Sequence, residues 1–156
     1  MANSTHIYGT AKTLTANAFK KTGYSFSGWA TSASGNVAYA DKASVSGLTT
    51  TSGATVNLYA KWKANTYTVV YNANGGSGTM SSVTHTYDSA KTLTKNTFTK
   101  EGYMFMGWAT SSSGDVEYID GESVKNLVTS GTITLYAVWV REGTVRIMVD
   151  GVYKIA

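Results

Sequence analysis

The chain has 156 residues, 42% hydrophobic and 14% charged, with a net charge of +4 and no cysteine. The missing cysteines exclude a disulfide framework and a thiolate zinc site. No apolar run approaches the roughly 20 residues of a membrane helix, which excludes a helical membrane span. The low charge is made up by Thr, Ser, Gly and Asn, and with 11 Tyr it suits a folded, strand-rich chain.

The charge is uneven. Residues 1–64 hold six Lys against Asp41 alone, while residues 65–156 hold seven bases against eight acids. A basic half invites a nucleic-acid reading. It contains no Arg, the preferred bidentate phosphate ligand. Its lysines sit among Thr and Ser, where Lys marks a solvated strand face or a protected edge. No nucleic-acid partner is expected. The opening Met1-Ala2-Asn3-Ser4-Thr5-His6 has no basic or apolar leader region.

A repeat dominates the chain. His6–Leu48 aligns with His85–Leu127 without a gap, and 26 of 43 positions are identical. The match resumes as Leu58-Tyr59-Ala60-Lys61-Trp62 against Leu135-Tyr136-Ala137-Val138-Trp139. Residues 1–64 are expected to be one module and 65–141 a second, with 142–156 an extension or linker strand. The first module lacks an opening strand and hairpin that the second possesses.

In chain order, each module predicts a short helical turn after Leu14 or Leu93. Asn17 or Asn96 is its expected N-cap, and Gly23 or Gly102 its C′ residue. Phe19 and Phe98 should face inward. Tyr24–Thr31 and Tyr103–Thr110 predict strands. Their parity puts Trp29 and Trp108 opposite the neighbouring aromatics, so a bulge at Gly28 and Gly107, which would return each Trp to the core, or a strand that ends near the Gly, is expected. Turns are expected at Ser34-Gly35 and Ser113-Gly114. Brief helical turns are expected around Ser44–Leu48 and Glu122–Leu127, with Asp41 or Asp120 near their starts. Val56–Trp62 and Ile133–Trp139 close the modules as strands, with Leu58, Ala60 and Trp62 on the core face.

The second module opens with a strand at Tyr67–Asn72, a turn at Asn74-Gly75-Gly76, and a strand at Val83–Tyr87 that pairs back. Beyond it, Thr144–Lys154 reads as two strands about Asp150-Gly151, or as one strand and a linker. Thr144–Val149 is also a candidate to fill the vacant edge of the first module, in cis or from another chain.

Few residues suggest chemistry. His6 and His85 are equivalent positions, which points to structure. Asp115, Glu117, Asp120 and Glu122 form the best carboxylate cluster, a candidate calcium site or acid pair. Only the Asp recurs in the first copy, at Asp41, and a capping carboxylate in a solvated loop is the simpler reading. No catalytic residue and no cofactor is expected. Tyr59 and Tyr136, opposite the core face, are contact candidates for glycan or protein, with cross-strand packing as the alternative. Met104 and Met106 replace Ser25 and Ser27 and form an apolar stripe suited to adaptable contacts.

Gly-Tyr-x-Phe-x-Gly-Trp-x-Thr, the preceding Tyr-x-Val-x-Tyr-Asn-Ala-Asn-Gly-Gly and the closing Leu-Tyr-Ala-x-Trp resemble the Listeria–Bacteroides repeat, the internalin-B B-repeat-like module. Residues 66–140 look like one full repeat and residues 6–63 like one lacking its start. The resemblance implies an α+β, strand-dominated fold: tandem small β-grasp-like (ubiquitin-like) modules with very short helical turns. It implies a non-enzymatic stalk, spacer or interaction scaffold of a bacterial cell-surface or secreted protein, with its export signal elsewhere. The alternative is an adhesin-type module binding a glycan or protein through an exposed sheet face. Expected partners are other repeats of the same protein, a host protein or a cell-surface glycan. The resemblance transfers no binding residues.

Overall fold

The structure is a computed structural model that describes residues 1–143 in full and the strand backbone of 146–149 and 152–155. It divides into two compact units, residues 1–64 and 65–156.

The second unit shows the complete module. Strand β5 (Thr66–Asn72) alternates buried Tyr67, Val69 and Tyr71 with more exposed residues. This is the period-two pattern of a strand with one face on the core. It pairs antiparallel with β6 (Val83–Thr86) and parallel with β10 (Gly131–Arg141). β10 pairs antiparallel on its other side with β8 (Tyr103–Ala109), giving the order β6-β5-β10-β8. The strand that enters the module and the strand that ends it therefore lie side by side at the centre. A small ladder of β7 (Lys91–Thr92) and β9 (Ser123–Val124) stands apart from this sheet. Tyr67, Val69, Tyr71, Leu93, Phe98, Trp108, Val124, Leu135 and Ala137 form the core.

The first unit repeats these elements in part. β2 (Tyr24–Ala30) pairs with β4 (Tyr59–Ala64), and β1 (Lys12–Thr13) pairs with β3 (Ser44–Val45). Leu14, Trp29 and Val45 are buried there, with Leu58 and Ala60 packed against them as their parity requires. Among the described residues, no strand stands in the place of β5. Tyr59, where β4 begins, corresponds to Tyr136, where the pairing of β10 with β8 begins. The counterparts of Gly131–Leu135, whose strand partner is β5, are residues 54–58, and they form no strand. The same holds for residues 4–7, the counterparts of β6. A strand needs a partner for its backbone groups, and both segments lack the same one.

The expected bulge is present in both units. The register shifts between Phe26 and Gly28, leaving Ser27 unmatched. In the second unit the pairing passes from Val138↔Gly107 to Trp139↔Phe105, leaving Met106 unmatched. Gly28 and Gly107 have φ of 141° and 144°. Each glycine lies against a crossing strand-like segment, held by reciprocal bonds between Trp29 and Tyr39 or between Trp108 and Tyr118. Only glycine fits there, because a residue without a Cβ adopts this φ freely and leaves room for the crossing backbone. Trp108 is fully buried and Trp29 nearly so.

The expected helical turns are corrected: the described residues contain no helix. The Asn17 and Asn96 carboxamide oxygens accept from the amides of Phe19 and Phe98 at 3.0 and 2.9 Å. These are Asx-turns, which give the backbone an alternative to a helix. Asp41 and Asp120 do not cap helices. Their Oδ1 atoms accept from the Asn17 and Asn96 amides, both at 2.8 Å. The five- or six-residue stretches after them are too short to repay helix nucleation and supply β3 and β9 instead. Gly23 and Gly102 do have positive φ, but in tight turns closed by Tyr24 N–H to Lys21 O and Tyr103 N–H to Lys100 O.

Asn74-Gly75 is a turn with both residues at positive φ, closed by Gly76 N–H to Ala73 O. It does not directly join a tight hairpin. Ten residues separate β5 from β6, and on the way Ser77 bridges to Thr99. Beyond the module, β11 (Arg146–Val149) pairs with β12 (Val152–Ile155). That pairing matches the two-strand reading of the tail. Residues 144, 145, 150 and 151, including the expected Asp150-Gly151 turn, lie outside the described residues.

Candidate functional site

The sequence candidates fall at separate places. Glu117 Oε1 accepts from Thr110 N–H and Oγ1–H at 2.8 and 2.6 Å. Glu122 Oε2 accepts from Ile119 N–H at 2.8 Å, and Asp120 is bonded to Asn96 as described. Glu117 and Glu122 each fasten their own loop, Asp120 ties its loop to Asn96, and Asp115 is exposed beside them. Among the described residues, no three His, Cys, Asp or Glu are grouped to hold a metal ion. Met104 is 54% exposed on β8, whereas Met106 is half-buried at the bulge. Tyr59 is 40% exposed. Tyr136 is half-buried between Asn72 and Ala109 on the neighbouring strands. The candidates do not form one surface site.

His85 is buried and stacked on Tyr67, with ring centroids 5.3 Å apart and planes at 29°. Among the described residues, its ring nitrogens and the Tyr67 hydroxyl have no hydrogen-bond partner. Burial, and then the Lys91 cation, hold its pKa below the ordinary 6.5, because both disfavour a charged imidazole. In the first unit, which lacks a counterpart of Tyr67, His6 Nε2 bonds the Ser4 hydroxyl at 2.9 Å.

The main difference between the units lies along β4 and β10. In the second unit, β5 and the turn after it clamp onto β10. Asn72 Oδ1 accepts from Asn74 N–H at 2.8 Å. Asn74 Nδ2 then donates to Ser112 O at 2.9 Å and to Ala137 O at 3.0 Å. The Trp139 indole N–H donates to Ala73 O at 2.8 Å, and Tyr71 Oη accepts from Thr94 N–H at 2.8 Å. A Cβ on Gly76 would lie 2.8 Å from both Thr99 O and the Trp139 ring. The Tyr-Asn-Ala-Asn-Gly-Gly motif is thus a clamp: its asparagines supply hydrogen bonds and its last glycine supplies room.

In the first unit the residues equivalent to those around the turn line an open groove of about 420 Å³, formed by Phe19, Lys20, Tyr24, Phe26 and Trp62. Phe19 is 48% exposed, whereas its counterpart Phe98 is 6% exposed. The aromatic frame behind the groove is nevertheless complete. Phe26–Trp29 and Phe26–Trp62 centroids lie 5.0 and 5.6 Å apart, against 4.9 and 5.6 Å for Phe105–Trp108 and Phe105–Trp139. Phe19–Trp29 and Phe98–Trp108 are both 6.2 Å apart at 71°. The clamp itself is not legible in the sequence, because its acceptors lie 38 and 63 residues away in the chain.

Two copies of one strand-built module with an aromatic core define a tandem-repeat protein. The chain belongs to the Listeria-Bacteroides repeat domain family, whose model matches residues 2–61 and 67–138. Two relatives come from Evansella cellulosilytica. One, whose name describes a Gly-rich membrane protein, is 33% identical over 123 residues, 76% of this chain and 14% of the relative. The other, whose name describes a membrane protein, is 35% identical over 124 residues, 77% of this chain and 16% of the relative. The match therefore spans about one-seventh of the first relative's length and one-sixth of the second's. No solved structure matches it. No helix among the described residues is long and apolar enough to cross a membrane.

Proposed function

We propose that the chain is a non-enzymatic stretch of a repeat array on a bacterial cell-surface or secreted protein, serving as stalk or spacer and as interaction scaffold. The parallel pairing of β5 with β10, from Tyr67↔Gly131 to Asn72↔Tyr136, carries this reading. β5 opens the second unit and β10 closes its sheet. Tension applied at residues 66 and 141 therefore pulls the two strands along their length in opposite directions. Their hydrogen bonds are loaded together, in shear, instead of one after another. This geometry suits a module that must keep its length under load. The strand order, with first and last strands parallel at the centre, is the one expected of a β-grasp-like unit, with residues 87–102, which hold β7 and no helix, where ubiquitin-like domains carry a helix. Relatives whose names describe membrane proteins, many times the length of one module, support a surface location.

The alternative is an adhesin module that recognises a glycan or a host protein. The exposure of Met104 and Tyr59 favours it, since adaptable and aromatic side chains suit contact surfaces. A glycan array together with pull-downs from host and bacterial extracts separates the two readings. The spacer reading expects no specific capture by folded protein. Saturable capture that is lost in the Met104→Ser or Tyr59→Ser variant would overturn it in favour of the adhesin.

A further inference from the structure

We propose that Asn74-Gly75 is a covalent modification site: a self-deamidation site that the closed clamp of the second unit holds shut and that opening of the clamp releases. Its co-reactant is water, and its product is a module whose clamp does not close again. The inference rests on the clamp geometry and on amide chemistry, and it does not depend on the spacer reading.

Asn74 is the chain's one asparagine followed by glycine. The pairing matters because glycine has no side chain to hinder its backbone nitrogen as a nucleophile. In the reaction the Gly75 nitrogen attacks Asn74 Cγ. The N–Cγ bond forms, the Cγ–Nδ2 bond breaks, and ammonia leaves with the proton that the Gly75 nitrogen gives up. Water then opens the five-membered imide at either of its carbonyls. Attack at Cγ leaves aspartate. Attack at the main-chain carbon leaves isoaspartate, whose main chain runs through the former side chain.

The closed clamp withholds this reaction in two ways. Asn74 and Gly75 have φ of 48° and 83°, and Gly76 N–H closes their turn on Ala73 O at 2.9 Å. This is a type I′ turn, with ψ of about +30° at Asn74. At that ψ the Asn74 Cβ and the Gly75 nitrogen lie on opposite sides of the Cα–C bond, whereas the ring needs them on the same side. The carboxamide is also held in place, because Nδ2 donates to Ser112 O at 2.9 Å and to Ala137 O at 3.0 Å. Water is not withheld: Gly75 is exposed and Asn74 half-buried. Conformation, and not solvent access, keeps the site shut.

The product does not rebuild the clamp. A carboxylate has no proton to donate, so aspartate at this position would set negative charge against the carbonyl oxygens of Ser112 and Ala137. Isoaspartate adds an atom to the main chain inside a two-residue turn. That would displace Ala73 O from the Trp139 indole and Gly76 from its close passage of Thr99. Each opening that lasts long enough for the chemistry leaves a permanent mark, and the extent of deamidation records the time the clamp has spent open.

The test follows deamidation at Asn74 in the full chain at neutral pH, by mass spectrometry of the proteolytic fragment that carries it and by an isoaspartate assay. The chain unfolded in concentrated urea gives the unrestrained rate. The folded chain is expected to react at least about thirtyfold more slowly, because the clamp recloses faster than the chemistry proceeds and the rate then follows the open population. The amide of Gly76 closes the same turn, so its exchange protection in the unaltered chain should match that slowing within about threefold. Trp139→Phe keeps a ring beside Phe105 and removes the donor to Ala73 O. It should raise the folded rate at least about fivefold, the factor for one hydrogen bond. Equal rates in the folded and unfolded chain would overturn the proposal, as would slowing without protection of Gly76. Asn74→Asp supplies one product directly and should speed amide exchange at Gly76 at least about tenfold, with β2 and β4 unchanged. Exchange equal to that of the parent chain would show that the clamp closes on the product, and would overturn the permanence of the mark.

Discussion

A β-carbon on Gly107 would stand 2.6 Å from the carbonyl oxygen of Tyr118, and Gly28 stands in the same relation to Tyr39, at 2.7 Å. The bulge turns Trp108 into the core, and the crossing segment holds it there through Trp108 N–H to Tyr118 O at 2.8 Å. Gly107→Ala therefore meets both a positive φ and a backbone clash. It should destabilise the second unit by about 2–4 kcal/mol. Gly28→Ala should do the same to the first unit, read as the shift of each unit's urea midpoint. A loss under about 0.5 kcal/mol would mean that the crossing segment gives way easily.

Phe98 and Phe19 have the same sequence context and different surroundings. Phe98→Ala should cost the second unit about 3–5 kcal/mol, the range for a buried aromatic. Phe19→Ala should cost the first unit under about 1 kcal/mol, as an exposed substitution. Equal losses in denaturant titrations would show that the groove beside Phe19 is covered.

Asp120 and Asp115 separate a structural carboxylate from a metal ligand. Asp120→Ala frees the Asn96 backbone amide and should cost about 1.5–3 kcal/mol, as for other hydrogen bonds to charged groups. Asp115→Ala should stay within about 0.5 kcal/mol. Added calcium should leave the melting temperature unchanged, because Glu117 and Glu122 already accept from their own loops and Asp120 from Asn96. A calcium-dependent rise that Asp115→Ala abolishes would restore the metal reading.

Folding lowers the pKa of His85 from its ordinary 6.5. The unfolded chain then binds the proton more readily, so the second unit should keep its full stability above about pH 6.5. It should lose stability as pH falls through the window between that value and the lower folded one. His85→Phe keeps the stack on Tyr67 and removes the titration. Urea midpoints of the second unit between pH 7 and 5 should fall in the parent chain more than in this variant. Parallel pH profiles would place the titration elsewhere.

Period-two parity made much of the module legible. It placed Leu58, Ala60 and Trp62 on one face and called for the bulge at Gly28 and Gly107, because side-chain alternation is a local property of a strand. The expected helical turns failed where distant groups decide. Asn96 looks like a cap from its neighbours alone, but its amide is held by Asp120, 24 residues away. Asn74-Gly75-Gly76 reads as a turn from composition and is one. Its work as a clamp depends on Ser112 and Ala137, which no local pattern brings near. The candidate contact residues Tyr59, Tyr136, Met104 and Met106 were chosen by strand parity, and parity carries no information about which of them share a surface.

Force applied along two different axes of the second unit tests the spacer account most directly. The chain has no cysteine, so exposed residues can carry unique tethers. Thr66→Cys with Arg141→Cys loads β5 and β10 in shear. Thr66→Cys with Thr86→Cys pulls apart a directly paired position of β5 and β6. The account predicts that the first pair ruptures in one event, with a contour gain of about 25 nm, at clearly higher force than the second. Rupture of the first pair at equal or lower force, or its stepwise peeling, would contradict a length-holding role.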